Sequence, residues 1–182
     1  KKEVIPRLEG GRILKAWKLP PAKEHILILG AEIAATMFCE GRSSLIVKKL
    51  REEKRIIESI DIDLQILEEG GLIILDVCCS LENINIAQSE INNILSQLNR
   101  DLFTNKDLER AKKLVTNNIY FSHELSNQIA STLGNQALWK RHQSIFQSIK
   151  DMSYWSVSRL NKLIFPLFNP ENSYTLIAKP ED

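Results

Sequence analysis

The side chains in this sequence able to do metal or hydrolytic chemistry are few. Histidine occurs three times, at His25, His123 and His142. A zinc site built on one helix needs two histidines about four residues apart, and a catalytic centre needs three protein ligands converging on one point. No two histidines here have that spacing. His25 is followed by Ile26-Leu27-Ile28-Leu29 and His142 by Gln143-Ser144-Ile145-Phe146. After His123-Glu124 the positions for a second histidine hold Ser126 and Asn127. All three are read as surface or partly buried helix histidines, and no metal ligand is assigned.

Nucleophiles are equally sparse. Ser43 and Ser44 follow Gly41-Arg42, and no G-x-S-x-G elbow surrounds them. Gly70-Gly71 lacks the spacing of a phosphate-cradling loop and reads as a hairpin turn, while Gly10-Gly11 reads as a linker or turn. The cysteines are Cys39, Cys78 and Cys79. Adjacent residues on a strand face opposite ways, so Cys78 and Cys79 cannot form a chelating pair. An odd count without framework spacing points to reduced, buried thiols and a reducing compartment, the cytoplasm.

Charge excludes further classes. The 24 basic residues nearly cancel the 23 acidic ones, which leaves no global attraction to nucleic acid or anionic lipid. Lys48, Lys49, Arg51, Lys54 and Arg55 cluster, but Glu52 and Glu53 interrupt them, as on a solvated helix face. No apolar run approaches the roughly 18–20 residues that span a bilayer. The expected partners therefore include neither nucleic acid nor membrane. The 182 residues suit one compact domain. The opening Lys1-Lys2-Glu3 carries no initiator methionine and reads as part of a longer chain.

The elements that must position these side chains are legible from periodicity. Residues 12–19 read as a strand stopped by Pro20-Pro21. Residues 23–38 are strongly apolar and predict a buried helix, ended near Gly41. Ser43 or Ser44 is expected to cap a second helix running to Arg55. Ile60, Ile62, Leu64 and Ile66 alternate with Asp61, Asp63 and Gln65, the period of a strand with one wet face. Glu69-Gly70-Gly71 turns the chain into a second strand at 72–79. Asn83 or Asn85 caps a helix to about Leu98, and Thr104 with Asp107 resembles a capping box for the next. Further helices are predicted at about 125–140 and 151–164, closed by Pro166, with a last strand at 173–179. This is an α+β pattern: helices packed on one face of an antiparallel sheet.

Several of these segments together resemble the C-terminal half-domain of the insulinase-like (pitrilysin family) zinc metallopeptidases. The strand ending Leu19-Pro20 before an apolar helix fits that family, and Gly41-Arg42-Ser43-Ser44 is similar to its G-x-S-S turn. Leu50-Arg51-Glu52-Glu53-Lys54 resembles its L-R-E-x-K run, and residues 104–112 its T-x-x-E-L-x-x-A-K pattern, with Asp107 as the acid. The closing strand, 174–180, also fits.

The resemblance implies a half-domain that pairs with a homologous one, in the same chain or a second subunit, around an unfolded peptide substrate. The family's zinc motif, H-x-x-E-H, is absent here, so zinc is implied in a partner and no catalytic or metal residue is expected in this chain. The parent or its complex is then a candidate zinc metalloendopeptidase. The sheet's uncovered face would line the chamber and place Asp61, Asp63 and Gln65 towards substrate; the same pattern equally describes the solvent side of an amphipathic strand. In active relatives this half presents an Arg and, seven residues on, a Tyr that contact substrate. Arg51 matches the Arg, but the Tyr position holds Glu58 and an intervening Gly is Arg55. A carboxylate cannot donate as a phenol does, and it repels a developing oxyanion. Arg51 also has the reading of an exposed helix Arg paired with Glu52, Glu58 or a neighbouring helix. The alternative function is a catalytically inactive scaffold or assembly subunit of the same family.

Overall fold

The computed structural model describes residues 1–6, 8–98, 102–141 and 143–181. His142 lies outside them. The described chain runs β1 (Lys2–Val4), β2 (Gly11–Leu19), α1 (His25–Cys39), a π-helix (Val47–Glu53), β3 (Ser59–Ile66) and β4 (Gly71–Cys79). It continues with α2 (Ile84–Ser96), α3 (Asn105–Ser122), α4 (Ser126–Leu138), α5 (Gln147–Asp151), α6 (Val157–Leu163) and β5 (Tyr174–Lys179).

The five strands form one sheet in the order β1-β5-β2-β4-β3. β2 pairs antiparallel with both β4 and β5, and β3 pairs antiparallel with β4. The α+β expectation holds. β1, which falls outside the expected elements, joins β5 in parallel. Three residues carry too little periodicity to announce a strand, and what holds β1 is the unsatisfied edge of β5.

The sheet has one covered face. Ile13, Trp17, Leu19, Ile73, Leu75, Val77 and Cys79 point into the core and are buried against Ile33, Ala34, Met37 and Phe38 of α1. Phe38 organises an aromatic cluster, with ring centroids 5.6 Å from Phe103, 5.5 Å from Phe165 and 4.9 Å from Phe168. Lys15 shares the covered face and is only 2 % exposed. Its Nζ donates to Thr175 Oγ1 at 2.7 Å, and burial lowers its pKa. The opposite face carries Arg12, Leu14 and Ala16 of β2, with Ile74 and Asp76 of β4, none of them fully buried.

Local chemistry explains where elements start and stop. Thr104 caps α3 with a complete capping box: its Oγ1 accepts from Asp107 N, and the Asp107 carboxylate accepts from Thr104 N at 2.8 Å. Thr104 Oγ1 also donates to that carboxylate at 2.7 Å, and this bond, with the one from the Thr104 backbone, lowers the Asp107 pKa. Gly41 ends α1 at φ +81°, the left-handed conformation of a helix C-terminus. Arg110 of α3 then donates to the Glu40 carbonyl at 2.9 Å, a cation where the helix dipole is negative.

Five expectations need correction. The helix after Gly41 is not an α-helix to Arg55: its body is the π-helix Val47–Glu53. It ends because Arg55 turns left-handed at φ 53°, and Ile56 N returns to Leu50 O at 3.0 Å. Neither Ser43 nor Ser44 caps it by side chain; Ser44 Oγ donates to Gly41 O at 2.7 Å and tightens the turn instead. Asn83 occupies the cap position of α2 without a side-chain bond. The helix expected at 151–164 is broken, since Trp155 is extended and Ser156 starts α6 by accepting from Arg159 N. Gly10-Gly11 is no linker, because Gly11 lies in β2 opposite Cys79 and a Cβ there would stand 2.4 Å from Ile84 of α2.

Candidate functional site

The residues singled out from sequence sit around β3, and the topology explains why. β3 ends the sheet, so its outer edge has no partner strand among the described residues. Asp61, Asp63 and Gln65 are exposed along it, as alternation predicts. Asp61 stands directly opposite Asp76 of β4. Facing carboxylates repel, and Arg12 offsets this by gripping Asp76 twice, Nε to Oδ1 at 2.9 Å and Nη2 to Oδ2 at 2.8 Å.

A cleft of 620 Å³ runs between β3, α1 and the middle of α3. Its polar lining comes from Glu32, Thr36 and Glu40 of the α1 segment, Asp61 and Asp63 of β3, and Asn118 of α3. Glu32 is half-buried there, and among the described residues no side chain bonds or pairs with its carboxylate. Burial first, and then the charge of Glu40, push its pKa up to about 7. Sequence reading missed Glu32, although a signal existed: it is the one charged side chain after His25 in an otherwise apolar helix. Such a carboxylate is kept half-neutral near physiological pH, where it both accepts and donates.

Arg51 lies on the π-helix with its side chain 38 % exposed, held by Glu52 through Nε and Nη2 at 3.0 and 2.9 Å. Glu58 precedes β3, and its N–H donates to Cys78 O at 2.8 Å. Its side chain lines a separate cavity of 800 Å³ with Arg12, Cys78, Ser80 and Glu82. Among the described residues no bond joins Arg51 to Glu58.

His25 and His123 have local partners. His25 stands 3.5 Å from Asp151 and 3.0 Å from Gln143 Nε2, which ties the start of α1 to the segment around α5. His123 Nδ1 is 2.6 Å from Ile119 O at the end of α3. Among the described residues no three His, Cys, Asp or Glu side chains are arranged to hold a metal ion. The described residues therefore offer no set of ligands that fits a zinc ion. Cys39 and Cys79 are buried free thiols and Cys78 is half-buried; burial raises the Cys39 pKa well above its ordinary value.

This fold and residue pattern match known proteins. Residues 1–115, from β1 into α3, match the family described as the peptidase M16 inactive domain. The uncharacterized zinc protease YmxG of Bacillus subtilis (strain 168) is 25% identical over 137 residues, which cover 75% of this chain and 34% of YmxG. A protease from Helicobacter pylori superposes with a TM-score of 0.85 at 18% identity, over 98% of this chain and 44% of that one. The peptidase M16 inactive domain from Pseudomonas fluorescens gives 0.82 at 12% identity, over 100% and 43%. The chain thus spans about a third of the curated relative and under half of these two structures. The family match covers well over half of the sequence, and the chain belongs to the peptidase M16 inactive-domain family, the insulinase-like grouping that its motifs resemble.

Proposed function

We propose that this chain is the non-zinc-binding wall of a peptide chamber in an insulinase-like metalloendopeptidase. Residues 1–182 act as one half-domain of a longer protein or assembly. Proteolysis then depends on an H-x-x-E-H-bearing half, in the same chain or in a second subunit, and any zinc belongs to that half. The observation that carries the reading is the unpartnered edge of β3 beside the acidic cleft. An edge strand offers alternating N–H and C=O groups to an extended peptide, and pockets beside it select side chains. Here Glu32 and Glu40 supply the pocket carboxylates, and Asp61 and Asp63 add negative charge along the strand itself, which favours cationic segments. Arg51, on the π-helix that precedes β3, adds a planar donor for substrate carbonyls, and π turns occur often at functional sites.

The test is cleavage of fluorogenic peptides by the zinc-bearing half with and without this chain. Addition of the chain is expected to raise cleavage, more for lysine-rich than for glutamate-rich peptides. Arg51→Ala is expected to lower kcat/KM about tenfold, the equivalent of one charge-assisted hydrogen bond. A chain that assembles but leaves cleavage unchanged would favour the second reading, a scaffold or assembly subunit. The observation on that side is Glu58, an acid where active relatives place a phenol.

A further inference from the structure

The cleft beside β3 is chemically uneven, and its overall negative charge does not describe it. Ile28, Glu32, Ala35, Thr36 and Cys39 of α1 face it, at the three- and four-residue spacing of one helix stripe. Ile28, Ala35, Thr36 and Cys39 are buried, so Glu32 is a single carboxylate set within a nearly apolar stripe. Ile62, Leu64 and Ile66 form the facing wall, while Asp61 and Asp63 stand exposed along the strand itself. The Glu32 carboxyl has no bonding side chain among the described residues, and burial is the largest influence on it. Among the described residues no three acidic, His or Cys side chains converge as a metal ion needs. One enclosed carboxylate between apolar walls suits a cation carried on an apolar stem. Lysine has that shape, four methylenes ending in a compact ammonium. A guanidinium brings five donors in a rigid fork, and the walls beside Glu32, at Ile28, Ala35 and Ile62, hold no acceptors for them.

We infer that this cleft is a lysine-selective side-chain pocket, with the stem between Ile28, Ala35 and β3 and the ammonium on Glu32. The inference rests on the chamber reading for the presence of a peptide and adds which side chain that peptide places here. A strand paired to the free edge of β3 turns alternate side chains to the helix side of the sheet. One lysine of an extended peptide then enters the cleft while its neighbours face away. Entry is linked to a proton. The titratable groups around Glu32 are Cys39 and Glu40 of the α1 segment and Asp61 and Asp63 of β3, and α3 contributes the uncharged Asn118. Arg110 of α3 donates to the Glu40 carbonyl beside them. Burial and Glu40 push the Glu32 pKa up to about 7, and an ammonium against the carboxylate opposes both. At pH 8 the free chain already holds Glu32 ionised. At pH 6 most of it holds the proton, which lysine must displace. Lysine affinity therefore rises about tenfold from pH 6 to pH 8.

The test is binding, apart from cleavage. The probe is a short extended peptide, N-acetylated and C-amidated, with a single central lysine, titrated calorimetrically into the 182-residue chain. Norleucine in its place keeps the stem and removes the charge; arginine keeps the charge and changes the head. At pH 8 the lysine peptide is expected to bind at least about tenfold tighter than the norleucine peptide and several-fold tighter than the arginine peptide. Titration in buffers of different ionisation heat is expected to show about one proton released at pH 6 and close to none at pH 8. Glu32→Gln is expected to remove both the lysine advantage and the proton release while the norleucine peptide binds as before. Glu171→Gln takes the same charge from an exposed acid in the turn before β5 and is expected to remove neither. Lysine affinity equal to that of norleucine or arginine overturns the inference, as does an equal loss in Glu32→Gln and Glu171→Gln, which would assign the preference to overall charge. An uncapped norleucine peptide that binds as tightly as the capped lysine peptide also overturns it, by giving the cleft to the α-amino end of a peptide. Lysine-selective binding without any gain in cleavage by the zinc-bearing half leaves the pocket standing and removes the chamber reading. A gain in cleavage without lysine-selective binding does the reverse.

Discussion

Arg55 stands at φ 53°, where an L side chain meets its own carbonyl and a glycine meets nothing. The family pattern has glycine there, and the geometry gives the reason: the π-helix closes through Ile56 N to Leu50 O only if the residue between turns left-handed. Arg55 is exposed, and among the described residues its side chain makes no hydrogen bond or ion pair that would offset the strain. Arg55→Gly should therefore stabilise the chain by about 1 kcal/mol, reduced somewhat by the freer unfolded state. Equal or lower urea midpoints for the variant would contradict this. Residues whose role is local were legible: Thr104 and Asp107 form the capping box that their spacing announces. Glu32 was not, because its unusual setting comes from β3 and Glu40, which sequence distance conceals.

Element boundaries depend on packing as well as on propensity. The alternation of β3 needed only period two, and the strand appears within one residue of its expected start. The segment 151–164 has helical composition throughout, yet it breaks at Trp155 so that the indole can reach α1. Gly30 is the matching surface: a Cβ there would lie 2.4 Å from Trp155 Cζ2 and 2.8 Å from Ile164 Cδ1. Neither residue can be read as a partner of the other at a separation of more than a hundred positions. Gly30→Ala gains helix propensity worth about 1 kcal/mol but forces a fully buried ring to move, and overpacking of this kind costs about 1–3 kcal/mol. The net expectation is destabilisation, read as a lower thermal midpoint together with loss of the near-ultraviolet signal of Trp155. A midpoint equal to or above wild type would show that the ring and α1 slide apart freely. α4 represents the opposite case, with its existence legible from composition and its lack of internal partners visible only in three dimensions.

For the whole molecule, the cleft between sheet and helices makes stability depend on pH. Glu32 ionises near 7 in the folded chain against an ordinary 4.5, so between those values the folded state holds a proton that the unfolded state has released. Stability contributed by this group is present at the acidic end, falls as pH rises from about 4.5 to about 7, and is fully lost above. The direction is the reverse of that for Asp107, whose depressed pKa favours folding at higher pH and is lost on acidification. Glu32→Gln keeps the shape and removes the titration. At pH 8 it should be more stable than wild type by something on the order of 2 kcal/mol, and near pH 5 the difference should shrink to a fraction of that. Urea melts of both proteins at the two pH values decide the matter. An equal difference at both pH values would mean that Glu32 ionises normally and that the cleft is wetter than its lining suggests. Such a cleft would also lose its preference for cations: an acid that costs folding energy when ionised regains it when a cationic segment lies beside it. The same Glu32→Gln substitution should therefore narrow the margin between lysine-rich and glutamate-rich peptides.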